Sequence, residues 1–152
     1  MYIKVKKKGE LYADKWYFTD EVTCEIETNN EEYLSIMQLG YVYTGGAHGL
    51  PYRTCTTFDA KTGKKLTAAK ILGISKIALN KKVCNLYLEK YAKEGEEAGF
   101  FMNGKSGVKK ALKDINFNNA FYMKNGKLVF YVDPYVLGPY AAGFIEVTAS
   151  LK

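Results

Sequence analysis

The sequence predicts an α+β protein in which a mainly antiparallel β-sheet is packed by one long helix and by short helical turns. Aromatic residues make up 14% of the chain, and such side chains favour half-buried strands. Strand-like segments follow one another in neighbouring pairs, whereas helical periodicity is sustained only over about residues 74–93. Neighbouring strands with one inserted helix indicate α+β rather than a parallel doubly wound sheet.

Alternating apolar and polar residues predict the strands of the N-terminal half. The two expected hairpins are residues 2–8 with 11–18 around Lys8-Gly9-Glu10, and residues 22–28 with 33–43 joined through Asn29-Asn30. The run 34–43 is the longest and most apolar, which predicts a central strand. Residues 52–58 are expected to return beside that strand.

Turn and cap residues then predict the helical part. Asp59 and Gly63 indicate a polar turn, because an Asp side chain can bond the backbone two residues on and glycine tolerates positive φ. Thr67 is expected to cap a short helix that ends at Gly73. The long helix of residues 74–93 follows and is expected to end at Gly95.

The C-terminal third contains the clearest local signal. Asn125-Gly126 lies between two apolar runs, which predicts a hairpin with a type I′ turn. The other expected elements are a short helix over 108–115 capped by Ser106, an irregular segment over 134–140, and a final strand over 144–151.

Length and charge restrict the class of protein. The 152 residues fit one domain, 1–152, and the formal net charge is +6. Arg53 is the only arginine among the 22 basic residues, whereas nucleic-acid readers use arginine forks, so we expect no nucleic-acid partner. The lysine charge suits solubility or diffuse attraction to an anionic surface such as a bacterial wall polymer.

Targeting and cofactor signals are sparse. No apolar run reaches the ~20 residues of a membrane-spanning helix, and we expect an exported domain whose N-terminal signal or anchor was removed. Cys24, Cys55 and Cys84 show no metal-ligand spacing, so no metal or cofactor is expected. The spacing leaves open whether Cys24 and Cys55 form a disulfide.

The run Tyr43-Thr44-Gly45-Gly46-Ala47-His48-Gly49 concentrates three glycines and the single histidine in seven residues. The glycines indicate a tightly shaped loop between two strands. His48 is the residue whose ordinary pKa lies nearest neutrality, so an enzyme would start there, with Cys55 as a conceivable nucleophile. The alternative that we favour is that His48 shapes the loop by bonding to backbone.

Carboxylates and tyrosines supply the remaining candidates. A glycosidase needs two facing carboxyl groups. The residues that could supply them are Glu25, Glu27, Glu31, Glu32, Asp59 and Asp133. Their positions in turns and on strand faces favour structural roles. Carbohydrate binding needs only exposed aromatic rings, which could come from Tyr41, Tyr43, Tyr52, Tyr135 and Tyr140, although buried packing is the commoner role of a tyrosine.

Four segments occur in a recognisable order: 43–49, 58–67, 128–131 and 134–143. Together they resemble a bacterial extracytoplasmic domain of unknown function, found in the outer part of the anti-sigma factor RsiV and in the non-catalytic region of the peptidoglycan deacetylase PdaC. The resemblance covers roughly residues 20–150. It implies an α+β fold, export from the cytoplasm and a role at the cell envelope.

These observations favour a non-enzymatic binding or sensing domain. The expected partner is peptidoglycan, another anionic wall polymer, or an envelope protein such as a lysozyme. The expected ligand-binding residues are Tyr43, Gly45, Gly46, His48, Tyr135 and Tyr140. The alternatives are a wall-glycan hydrolase acting through carboxylates or His48, and a structural accessory module of an envelope enzyme.

Overall fold

The strands form two antiparallel sheets in a computed structural model that describes residues 3–10, 17–95 and 97–151. The strands are β1 Ile3–Glu10, β2 Tyr17–Asn29, β3 Tyr33–Tyr43, β4 Leu50–Asp59, β5 Lys65–Leu66, β6 Phe121–Lys124, β7 Lys127–Val132 and β8 Ile145–Ser150. The large sheet has the order β1-β2-β3-β4-β5, and the small sheet has the order β6-β7-β8. The α+β class is confirmed, and the division into two sheets goes beyond the prediction.

The N-terminal hairpin differs from the prediction. Strand β1 continues through Gly9 and Glu10, and Gly9 pairs with Phe18, so the predicted turn at residues 8–10 is wrong. Residues 11–16, which the prediction assigned to the second strand, lie outside the described residues. Strand β2 is a single strand from Tyr17 to Asn29 with a register shift between Ile26 and Thr28, so the predicted division into two strands is also wrong. The turn at Gly9 was predicted wrongly because glycine also tolerates strand dihedral angles, so a single glycine in an alternating run need not make a turn.

The middle of the large sheet follows the prediction. Strand β3 lies between β2 and β4, as expected of the most apolar run. The Asn30 side chain accepts hydrogen bonds from the amides of Glu32 and Tyr33, which closes the turn between β2 and β3. The Asp59 side chain accepts from the amide of Thr62 at 2.8 Å, and Gly63 has φ +68°, which confirms the polar turn. Hydrogen bonds from Thr62 lower the pKa of Asp59.

The helices are α1 Ala68–Leu72, α2 Lys76–Glu94, α3 Gly104–Leu112 and a 3₁₀ helix, Tyr140–Ala142. Helix α1 has the predicted Thr67 cap and ends at Gly73, which has φ +64°. The long predicted helix is confirmed, with the Ser75 side chain accepting from the amide of Ala78 at its start. Gly95 follows its last residue, as predicted.

Helix α3 begins earlier than predicted. Asn103 rather than Ser106 is its cap residue, and no side chain of the cap bonds the helix. The first amide, of Gly104, instead donates to the Tyr91 hydroxyl of α2 at 3.1 Å. A tertiary hydrogen bond therefore fixes this helix end, which local sequence patterns do not reveal.

The main core lies between the small sheet and the helices. Leu79, Val83 and Tyr87 of α2 are fully buried against it, and the Tyr87 hydroxyl donates to the carbonyls of Phe130 and Ile145 at 3.2 and 3.0 Å. That hydroxyl ties α2 to β7 and to the start of β8. Burial raises the pKa of Tyr87 well above its usual range.

The large sheet packs on the opposite face of the small sheet. Ser35 and Thr57 are buried there, and their hydroxyl oxygens lie 2.9 Å apart. The Met123 amide donates to Ser35 Oγ at 2.9 Å, and Thr28 Oγ1 donates to the Met123 carbonyl at 2.8 Å. Side chains of the large sheet therefore hydrogen-bond the free backbone groups of β6, which is an edge strand of the small sheet. The layers are the large sheet, the small sheet and the helices.

Tyr87→Phe removes a buried hydroxyl that serves two carbonyls. We expect the free energy of unfolding to fall by about 1–2 kcal/mol, because the carbonyls stay buried without this donor. Urea denaturation followed by far-UV circular dichroism measures the change. Tyr33→Phe is the control, since its hydroxyl makes no hydrogen bond within the described residues, and an equal loss in both variants would contradict this role.

Candidate functional site

Two loops from different sheets meet at one end of the molecule. The loop between β3 and β4 supplies His48, and the segment between β7 and β8 supplies Tyr135 and Tyr140. The His48 ring stacks on the Tyr140 ring with centroids 4.1 Å apart, and the Tyr135 hydroxyl lies 3.2 Å from His48 Nε2. The structure thus brings together three of the predicted site residues that are far apart in the chain.

The other predicted residues shape the histidine loop. Gly45 and Gly46 both have φ +100°, a conformation that strongly favours glycine. The Tyr43 hydroxyl donates to the Gly46 carbonyl at 2.9 Å, and the Gly49 amide donates to the Tyr41 hydroxyl at 2.8 Å. Two tyrosines of β3 therefore fold the loop back over its own strand and hold His48 in place.

Tyr135 is held in a strained backbone conformation. Its φ is +70°, which costs a non-glycine residue about 1–2 kcal/mol. The Val136 amide donates to the Asp133 carbonyl at 3.3 Å, closing the turn that contains it. This conformation carries the tyrosine ring to His48 and Tyr140, and its ring lies 6.0 Å from that of Tyr140.

The hydrogen bonds of His48 assign a donor and an acceptor role to its two ring nitrogens. Nδ1 lies 3.0 Å from the Gly49 carbonyl, which can only accept, so Nδ1 carries the proton. In the neutral ring Nε2 then accepts from the Tyr135 hydroxyl. Among the described residues no carboxylate hydrogen-bonds or pairs with His48. The Nδ1 contact is the bond to loop backbone that the sequence favoured, whereas the Nε2 contact joins the loop to Tyr135.

Three of the four rings of this site are exposed to solvent, and the Tyr140 ring is partly buried. Tyr135 is 49% exposed and Tyr41 is 39% exposed, and His48 is exposed beside them. Desolvation and the neighbouring Tyr41 hydroxyl raise the pKa of Tyr140. Glu21 of β2 lies directly opposite Tyr41 in the strand register. We name Tyr41, His48, Tyr135 and Tyr140 the aromatic surface.

A largely buried arginine joins the two sheets. The Arg53 guanidinium of β4 pairs with Glu146 of β8, and its carbon lies 4.2 Å from the Phe144 ring centroid and 5.0 Å from that of Tyr131. The Tyr122 hydroxyl donates to the same Glu146 oxygen at 3.1 Å. We name these five residues the arginine clamp. The sequence singled out Arg53 only as the sole arginine, and that rarity is the signal that could have located the clamp.

The structure separates the remaining tyrosine candidate from the site. Tyr52 lies on the other face of the large sheet, where its hydroxyl donates to Asp20 at 3.1 Å. Its ring crosses β3 at Gly40, where an added Cβ would lie 2.0 Å from the ring. Tyr52 therefore packs across the strands and takes no part in the aromatic surface.

The carboxylates and cysteines take structural positions. Glu27 is almost buried and pairs with Lys124 at 3.0 Å across the two sheets. Cys55 is buried between the sheets, whereas Cys24 lies on the opposite face of the large sheet two strands away, so the two are not bonded. Within the described residues no group of three or more histidine, cysteine, aspartate or glutamate side chains could hold a metal.

No helix in the described part of the chain has the length and apolar character needed to cross a membrane. The fold and the site define an α+β domain of two antiparallel sheets whose connecting loops meet in an aromatic surface. The chain belongs to the DUF3298 family, described as a protein of unknown function, whose family model matches residues 68–152. No curated protein matches the chain.

Two solved structures share the fold. A DUF3298 family protein from Pseudomonas aeruginosa PAO1 has a TM-score of 0.63 and 18% identity over 86% of this chain and 57% of that one. A member of the family from Bacteroides fragilis NCTC 9343 has a TM-score of 0.60 and 23% identity over 85% of this chain and 49% of that one. The chain thus spans about half the length of these relatives.

Arg53→Lys tests the arginine clamp. Lysine lacks the planar guanidinium that stacks on rings, so we expect the free energy of unfolding to fall by about 2–4 kcal/mol. Urea denaturation measures the loss. Lys90→Ala is the control, because it breaks a partly exposed pair with Glu94 within α2 and should change stability little. Equal stability of Arg53→Lys and the original protein would contradict the clamp.

The stability of the protein should depend on the Cys55 thiol at alkaline pH. Burial raises the pKa of Cys55 to about 11, above its value in an unfolded chain. Stabilisation from this group is therefore fully present below pH ~8.5 and is lost as pH rises toward the folded value. We expect stability to fall between these values more steeply in the original protein than in Cys55→Ala. Urea midpoints across this range measure it, and equal slopes would contradict burial of the thiol.

Proposed function

We propose that this chain is a non-enzymatic recognition domain that acts outside the cytoplasm, at the bacterial cell envelope, and binds the glycan strands of peptidoglycan. The observation that carries the proposal is the aromatic surface itself. Exposed Tyr41 and Tyr135 flank the stacked pair of His48 and Tyr140, so several ring faces and hydroxyl groups are displayed together. Such side chains offer an apolar body and a polar tip at low entropic cost.

The site is preorganised for contact. His48 bonds the Gly49 carbonyl and Tyr135, and Gly49 bonds Tyr41, so the rings are fixed before any ligand arrives. Fixing contact groups in advance reduces the entropy cost of binding. Sugar rings present apolar C–H faces that stack on aromatic rings, and their hydroxyl groups bond tyrosine hydroxyls. This chemistry fits a glycan better than a ligand held by charge.

A hydrolase is less well supported by the same site. Retaining and inverting glycosidases need two carboxyl groups facing one another across the bond that is cut. Glu27 is used in a pair with Lys124, and Asp59 holds its own turn. His48 hydrogen-bonds a carbonyl and a phenol, and among the described residues no carboxylate hydrogen-bonds it, so it lacks the carboxylate partner of a catalytic triad.

Placement at the envelope rests on the order of sequence motifs that resembles the domains of RsiV and PdaC, and the DUF3298 match is compatible with it. A net charge of +6 adds diffuse attraction to anionic wall polymers. The same motif order makes an envelope protein such as a lysozyme the second candidate partner. The exposure of Tyr41 and Tyr135 favours a protein partner of this kind, because tyrosine is enriched in protein interfaces.

Co-sedimentation with insoluble peptidoglycan tests the proposal. The protein should pellet with the polymer at about 0.05 M and still at about 0.3 M NaCl, because stacking is screened far less than charge attraction. Tyr135→Ala combined with Tyr140→Ala should weaken retention by about tenfold, since central aromatic residues dominate binding. Ile77→Ala is the control, because Ile77 is an exposed apolar residue outside the site.

Two results would count against glycan recognition. Retention that disappears at the higher salt concentration would show that only lysine charge binds the wall. Retention that is unchanged in the double tyrosine variant would place the contact elsewhere on the protein. Retention of purified lysozymes, but not of peptidoglycan, by the immobilised domain would favour the envelope-protein partner.

A further inference from the structure

The large sheet has one face that no part of the described chain covers. Neighbouring side chains of a strand point to opposite faces, and Met37 and Cys55 face the small sheet. The strand register then places a second set of residues on the opposite, outer face. Its apolar members on β2, β3 and β4 include Val22, Ile26, Ile36, Val42, Leu50 and Phe58. None of these six belongs to either core cluster or packs against one.

Across β2, β3 and β4 this outer face is apolar and almost free of charge, and the exposed Lys65 of β5 lies at its edge. Ile26 is 48% exposed and Leu50 is 53% exposed, and between them the face carries mainly aliphatic, threonine and aromatic side chains. Asp20 is the one charged residue among its positions on β2, β3 and β4, and it accepts the hydrogen bond of Tyr52. Tyr52 lies flat across Gly40, which smooths the centre of the face.

We propose that this outer face binds a second copy of the chain and forms a symmetric, face-to-face dimer. The net charge of +6 makes two copies repel at most relative orientations. If two copies meet through a nearly uncharged face, their lysines do not come into contact. The contact also buries no unpaired charge. An identical patch on both partners is also what a two-fold interface requires.

The size of the face suits a weak dimer. Strands β2, β3 and β4, spaced ~4.8 Å apart and about ten residues long at ~3.3 Å per residue, span about 14 by 33 Å, or on the order of 500 Å². Two copies would bury about 1,000 Å² together, which is the size of a weak, transient interface. Sheets that pack in this way lie ~10 Å apart with interdigitated side chains. The dimer leaves the aromatic surface free, because that surface lies on the loops and on the other face of β3.

Sedimentation velocity over about 1–200 µM protein tests the proposal within the range of a moderate interface. The original protein should shift from monomer to dimer as its concentration rises. Ile26→Lys should raise the dissociation constant at least about tenfold, because each chain would bury an unpaired charge. Ile77→Lys is the matched control, since Ile77 is 83% exposed on α2 and should leave the constant unchanged.

Ile36→Lys gives a second, central variant, and circular dichroism checks that each variant is folded. Concentration-dependent dimers that Ile26→Lys and Ile36→Lys weaken, and Ile77→Lys does not, support the proposal. A monomer at every concentration would overturn it and assign the face to a different protein. A dimer that both sheet variants leave unchanged would also overturn it, because the contact would then lie elsewhere.

Discussion

The packing of Arg53 between the two sheets is the interaction on which the rest of the structure depends. The guanidinium pairs with Glu146 and lies against Phe144 and Tyr131, while the Tyr131 hydroxyl bonds the Arg53 carbonyl at 3.2 Å. An arginine can fill this position because its planar group both stacks on rings and pairs with a carboxylate. The clamp fixes β4 relative to β7 and β8, and each of these strands borders a loop of the aromatic surface.

The aromatic surface is therefore a product of tertiary structure. His48 comes from the large sheet, whereas Tyr135 and Tyr140 come from the connection between two strands of the small sheet. Their hydrogen bond and ring stacking exist only when the sheets are docked in this register. The strained Tyr135 backbone is consistent with this dependence, since such a conformation persists only where its surroundings stabilise it.

Local rules explain how much of the fold could be predicted. The Asn125-Gly126 turn, the Thr67 cap and the long helix follow from short-range chemistry, and all three are confirmed. The turn near Gly9 and the cap of α3 were predicted wrongly, because strand pairing and a hydrogen bond from Tyr91 override local patterns. The division into two sheets depends on contacts between residues such as Ser35 and Met123, 88 positions apart.

The candidate site shows the same limit. The glycines and His48 attracted notice because they are rare and clustered, and the proline-bounded segment drew attention to Tyr135 and Tyr140. The contact among them could not be derived, since no spacing rule relates positions 87 residues apart. Tyr41 was considered as an exposed ring but was not among the expected ligand-binding residues, and the arginine clamp was missed, because their roles arise from strand register and from packing between sheets.

Nuclear magnetic resonance of the His48 ring tests most directly whether docking of the sheets assembles the aromatic surface. His48 is the only histidine, so every histidine ring signal belongs to it. In the original protein we expect Nδ1 to carry a proton that bonds the Gly49 carbonyl, and we expect nuclear Overhauser contacts from the ring to the Tyr140 and Tyr135 rings. In folded Arg53→Lys these contacts should weaken or vanish. Unchanged contacts in that variant would contradict the dependence of the site on the clamp.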